Sequence, residues 1–234
     1  MNKRLDYPAL LTGVEELSKR DEDFAGVVSA FGPPPLWERE EGFHTLIHII
    51  LEQQVSLASA KAAYVKLQQA ADPLAPGNFL KLNDEELKQI GFNRQKTRYG
   101  RALACAMMDK SLNLPGLGEL GDREAKALLM KVKGIGPWTA DIYLLMALGR
   151  PDILPKGDLA LEIAFQRLKG MQKKPTWEEI KAASTAWRPW RAVAARLLWH
   201  FYLSEQKKTL TLSERKGAGC EPTGPPVFFY IKCP

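Results

Sequence analysis

The apolar residues of this chain recur at helical spacing along most of its length. Ala125, Leu128, Leu129 and Val132 follow an i, i+3, i+4, i+7 pattern, as do Phe43, Leu46, Ile47 and Ile50. No run of alternating β-branched residues precedes position 210. The pattern therefore predicts an all-α fold of roughly ten short helices. Boundary signals support it. Asn83 with Glu86 and Thr176 with Glu179 form capping boxes, in which side chains satisfy free backbone N–H groups. Pro137 suits a first helical turn, where a missing N–H costs nothing, and Gly149 suits a helix stop after Leu148. Residues 32–35, 73–77 and 113–118 read as loops. Residues 1–210 are expected to form one domain. Residues 211–234, rich in Gly, Pro and charge, read as a disordered tail ending in the apolar segment 227–231.

Composition removes several classes. Cys105, Cys220 and Cys233 are the only cysteines of the 234 residues, too few for a disulfide framework, a four-thiolate zinc site or an all-cysteine iron–sulfur cluster. The first residues lack the apolar core of a signal peptide, and the longest apolar runs, such as 142–148, are too short to span a bilayer. A soluble, cytoplasmic protein is expected. The net charge of +6 is local: residues 159–210 hold 10 Lys+Arg against 4 Glu, and the remainder is neutral. A local basic excess points to a polyanion such as DNA.

The most informative motif is Gly134-Ile-Gly136-Pro137, set between two helical stretches. Glycines there let a backbone approach closely, with N–H groups and a helix N-terminus facing an anion such as phosphate. A dinucleotide-binding loop needs a preceding strand and a third glycine, but the preceding segment is helical and Thr139 stands in the glycine's place. Lys133 beside the turn favours a DNA-backbone contact. Some twenty residues on, Asp158 follows Gly157 and precedes the apolar periodicity of Leu159, Ile163 and Leu168. An N-cap is its default role. A carboxylate so placed is also held ionised by the helix dipole, which suits it to face a developing cation. His44 and His48 stand four apart, but Thr45 occupies the glutamate position of a zinc-protease helix, and no metal is expected there.

Four stretches read together carry a resemblance: residues 49–56 (IILEQQVS), 91–97 (GFNRQKT), 134–140 with 154–158 (GIGPWTA, LPKGD), and 187–191 (WRPWR). Over residues 25–205 the chain resembles the helix–hairpin–helix DNA glycosylases with the Gly-Pro-Asp motif, most of all the bacterial 3-methyladenine DNA glycosylase II branch. The resemblance implies two helical lobes with an active-site cleft between them, and extrusion of a damaged nucleotide from duplex DNA. It makes Asp158 the catalytic aspartate. It places Gly134 and Gly136, with Lys133 and Thr139, in the hairpin that grips a DNA phosphate, where a monovalent cation is usual. It puts Trp138 at the base pocket, with Gln53 and Trp37 as further wall candidates, and Gln54 in the gap left by the flipped nucleotide. Ser56, Lys96 and Arg191 are further DNA-contact candidates, with Arg188 and Arg196 beside Trp190.

The lysine by which bifunctional members cleave the strand stands two residues after the second hairpin glycine. Trp138 occupies that position here, so a monofunctional enzyme is expected. Only about 45 residues precede Thr45, so a compact member without an extra N-terminal lobe is also expected. The implied reaction is hydrolysis of the N-glycosidic bond of an alkylated purine such as 3-methyladenine. No organic cofactor and no second acid placed by the motif are needed, because a cationic base leaves readily. Damaged double-stranded DNA is the expected partner of a monomeric enzyme. A non-catalytic DNA-binding module, and a glycosylase for deaminated, oxidised or mismatched bases, remain the alternatives.

Overall fold

The computed structural model describes residues 4–216, with side chains through residue 208. Its described residues form twelve α-helices and two 3-10 turns, with no strand. The helices are α1 (Tyr7–Arg20), α2 (Glu22–Phe31), α3 (Phe43–Glu52), α4 (Leu57–Ala70), α5 (Pro76–Lys81), α6 (Asp84–Ile90), α7 (Arg94–Met108), α8 (Asp122–Leu129), α9 (Pro137–Met146), α10 (Leu159–Leu168), α11 (Trp177–Ala183) and α12 (Arg191–Lys216). The 3-10 turns cover Pro115–Glu119 and Ser184–Trp187. The count exceeds the expected ten because α5, α6 and α11 span only six or seven residues, too short to display a period.

The local signals act where they stand. Both capping boxes form, at Asn83 with Glu86 and at Thr176 with Glu179. Pro137 opens α9. Gly149, left-handed at φ 61°, turns the chain after α9 while the Arg150 N–H reaches back to the Leu144 carbonyl. The expected tail needs a correction. Residues 211–216 belong to α12, because no glycine or proline interrupts the helix formers of 205–216 before Gly217. Residues 217–234, with Cys220 and Cys233, lie outside the described residues.

The helices pack as two groups. α1 and α2 pack on each other and on α12, which also takes α10. In the second group α3 packs on α4, α7 and α9, α5 on α7, and α8 on α9. Helix α9 is central: every residue from Trp138 to Leu145 is buried. Arg196 of α12 joins the groups. Its guanidinium, 1% exposed, donates to the carbonyls of Leu36, Leu145 and Ala192. It thereby ties the 32–42 loop and α9 to α12. Burial holds its pKa down to about 10. No described helix is long and apolar enough to cross a membrane.

Candidate active site and nucleic-acid interface

Asp158 is the N-cap of α10, and its Oδ1 accepts the Leu161 N–H at 2.9 Å. The cap is one part of a fuller arrangement. Trp199 Nε1, from α12, also donates to Oδ1 at 3.1 Å, and Trp138 Nε1, from α9, donates to Oδ2 at 3.0 Å. Three N–H donors from three helices thus fix a carboxylate that is 3% exposed. Burial pushes its pKa above the ordinary carboxylate value, and the donors from Trp138, Leu161 and Trp199 pull against that rise.

Asp158 lines a pocket of about 240 Å³ between the two helix groups. Trp37, Trp138 and Trp199 supply aromatic walls, and Leu57, Ile142, Met146 and Leu203 supply aliphatic ones. Trp37 is half-buried, left-handed at φ 47°, and meets Trp199 edge to face with ring centroids 6.3 Å apart. Trp138 is 2% exposed and is held as a donor to Asp158. The pocket therefore offers Trp37 as its more open ring. Gln53 is not on this pocket. Its Nε2 donates to the Gly134 carbonyl at 3.0 Å and to Thr139 Oγ1 at 2.9 Å, so its amide fastens the 53–56 turn to the hairpin.

The hairpin runs from α8 to α9. Gly134 sits at φ 96° with the Tyr99 ring beneath it, and a Cβ there would fall 2.2 Å from that ring. Gly136 is different. Its backbone is extended, and a Cβ would meet nothing within 4 Å. Its lack of a side chain leaves open space at the N-terminus of α9. The hairpin faces a groove of about 540 Å³, which Gln54, Lys133 and Lys156 also line. Gln54 is exposed at the tip of the turn, in the left-handed region at φ 57°. Side chains of His, Cys, Asp and Glu form no metal-binding group among the described residues. A hairpin cation would rest on main-chain carbonyls, of which those of Val132 and Gly134 already accept hydrogen bonds from Ile135 N–H and Gln53.

Several expected DNA contacts are committed inside the protein. Thr139 is fully buried and accepts from Gln53. Ser56 caps α4, accepting the Ser59 N–H. Lys96 is 6% exposed and donates to the Leu51 carbonyl at the end of α3, and burial lowers its pKa to about 8. Arg191 forks onto the Asp152 carboxylate at 2.7 and 2.9 Å. Part of the basic excess of 159–210 is committed in the same way: Lys169 bridges Asp21 and Asp23, and Arg196 is buried. The sequence count missed this because the acids at 21, 23 and 152 are remote along the chain. The exposed cations at the hairpin groove are Lys133 and Lys156.

Two site features had no place in the motif reading. Trp199 lies 41 residues beyond Asp158 and carries no local signal. Glu52 also lines the Asp158 pocket, so an additional acid is present. The signal for it was a carboxylate directly following the apolar run 49–51, on a helix otherwise made for burial.

Three comparisons bear on this geometry. The model of the HhH-GPD superfamily base excision DNA repair protein matches residues 47–189. The alkylbase DNA glycosidase-like protein mag2 of Schizosaccharomyces pombe is 27% identical over 206 residues, covering 85% of this chain and 95% of that protein. A DNA-3-methyladenine glycosylase of Bacillus subtilis is 28% identical over 169 residues, covering 67% of this chain and 56% of that one. Among solved structures, a 3-methyladenine DNA glycosylase of S. pombe in complex with abasic DNA superposes with a TM-score of 0.76 at 24% identity, covering 84% of this chain and 97% of that one.

Proposed function

The chain belongs to the HhH-GPD superfamily of base excision DNA repair proteins, and on that premise we propose that it is a monofunctional DNA glycosylase releasing alkylated purines such as 3-methyladenine. One observation carries the reading: a buried carboxylate, held by three N–H donors, lines an aromatic pocket beside a hairpin groove. The names of the relatives point to the same chemistry.

In this mechanism the hairpin N–H groups and Lys133 hold a backbone phosphate, and Gln54 fills the gap left in the duplex. Lys156, exposed in the same groove, adds positive charge. The extruded base enters the pocket, where the face of Trp37 attracts a cationic alkylpurine by about 0.5–2 kcal/mol. A neutral purine gains less, so damaged bases are favoured. The N-glycosidic bond breaks with its electron pair on the base, which departs neutral. The sugar is left as an oxocarbenium-like cation, and the fixed charge of Asp158 stabilises it. Water then adds to C1′ and releases one proton to the solvent, so the products are the neutral base, the abasic sugar and that proton. The chain places Trp138, not an amine, after the hairpin, so no imine forms and the abasic strand stays intact.

The test is release of bases from alkylated duplex DNA by the wild type and by Asp158→Asn. The variant should bind DNA normally and lose base release by several orders of magnitude. Retained activity would remove Asp158 from the reaction. Borohydride treatment should trap no covalent protein–DNA adduct, and a trapped adduct would refute the monofunctional assignment.

A further inference from the structure

The pocket that holds Asp158 has a polar wall that the mechanism above does not use. Glu52 ends α3 with its side chain 5% exposed, and Arg39 grips both carboxylate oxygens, at 2.7 Å through Nη2 and 3.1 Å through Nη1. Arg39 is itself fixed, its backbone N–H donating to the Met146 carbonyl. Behind the pair, His48 stacks on Tyr64 with centroids 4.0 Å apart, and its Nε2 lies 3.7 Å from Glu52, beyond a good hydrogen bond. Burial lowers the His48 pKa, which favours the neutral ring. Both Glu52 and Arg39 line the pocket, among Trp, Leu, Ile and Met side chains.

A buried ion pair is no strong source of stability, and apolar residues of similar size often serve a fold as well. Its place at a binding pocket suggests a different use. An ionised carboxylate has about four acceptor positions and no donor. Arg39 occupies one on each oxygen, so acceptor capacity remains on both. The guanidinium cancels the charge, and the wall therefore selects by hydrogen-bond direction, not by net attraction. In an apolar pocket a few fixed polar groups set the orientation and identity of the guest.

We propose that Glu52, positioned by Arg39, is a specificity-determining residue that accepts a hydrogen bond from the exocyclic amine of the flipped base. The inference rests on the pocket being the base pocket. It makes the site selective for alkylpurines with a 6-amino group over 6-oxo purines, whose oxygen at that position would face the carboxylate as acceptor against acceptor. Arg39 is a positioning residue: it aligns the carboxylate and acts on selectivity through it.

The experiment measures binding of the free bases 3-methyladenine and hypoxanthine by equilibrium dialysis, alongside their release from duplex DNA. Glu52→Gln replaces one acceptor by a donor. Loss of a hydrogen bond to a charged group should weaken 3-methyladenine about ten- to hundredfold. Hypoxanthine should bind equally well or better, because the new amide can donate to its oxygen. Arg39→Met should reduce the same preference. Glu52→Asp, which keeps the charge but withdraws it by one methylene, should also favour 3-methyladenine less and guards against a folding defect in Glu52→Gln. An equal loss on both bases, or no loss on either, overturns the proposal. Free-base binding does not depend on catalysis, so failure of Asp158 as the catalytic group would leave this result standing by itself.

Discussion

Trp199→Phe removes one of three donors to Asp158 and retains an aromatic ring in the pocket wall. The lost contact is a 3.1 Å indole N–H to a carboxylate that is 3% exposed. A hydrogen bond to a charged group in such a setting contributes about 1.5–3 kcal/mol. That stabilisation belongs to the ionised form, so its loss should raise the Asp158 pKa. The direction follows from the charge. The donor favours the ionised form, burial already raises the pKa, and removing the donor lets burial act less opposed. The reaction needs the ionised form. In single-turnover release of an alkylated base followed across pH, the acid limb of the variant should therefore lie at higher pH than that of the wild type, with the rate recovering on the alkaline side. Trp138→Phe should move it at least as far, since Trp138 supplies the donor on Oδ2. An acid limb at the wild-type position in both variants would show that these indoles only pack, and that Asp158 does not set the pH dependence.

The two hairpin glycines should separate folding from binding. Gly134→Ala forces a left-handed backbone and an overlap with Tyr99, at a combined cost of about 3 kcal/mol, read as a fall in Tm of roughly 6–12 °C. Gly136→Ala should leave Tm unchanged, since its Cβ meets open space, yet weaken DNA binding measured by fluorescence anisotropy. Equal Tm losses would contradict the reading. Lys96 binds its proton less tightly in the fold, with a pKa of about 8, than at its unperturbed 10.5. Between those values the unfolded chain holds more protons, so stability contributed at this site rises with pH. The wild type should therefore gain stability over Lys96→Met as pH climbs through that window in denaturant titrations, and parallel curves would rule this out.

What the chain discloses by itself is local. Asp158, Asn83 and Thr176 cap helices because a short polar side chain reaches only two or three residues along the backbone, and such contacts are written in adjacent letters. Pro137 and Gly149 act at equal range. The four separated stretches identify the fold because their order survives folding. Charge partners do not follow that logic. Arg191 reads as a surface cation until Asp152, 39 residues away, is brought against it. Gln53 reads as a pocket residue until the hairpin, 81 residues on, presents a carbonyl to its amide. The shell of Asp158 was half legible: Trp138 stands beside the hairpin glycines, whereas Trp199 is delivered by α12 after two intervening helices.

The surroundings of Asp158 contain dipoles but, among the described residues, no cation in an ion pair with it. Most buried carboxylates in this fold have such a counter-ion, as Glu52 has Arg39 and Asp141 has Lys126. Folding has thus left one anion unmatched, in a pocket open to a guest. The species that would match it is not the substrate sugar, which is neutral, but the cation that exists only while the glycosidic bond is breaking. On the proposed mechanism the protein is a salt lacking one ion, and the transition state is the ion it lacks.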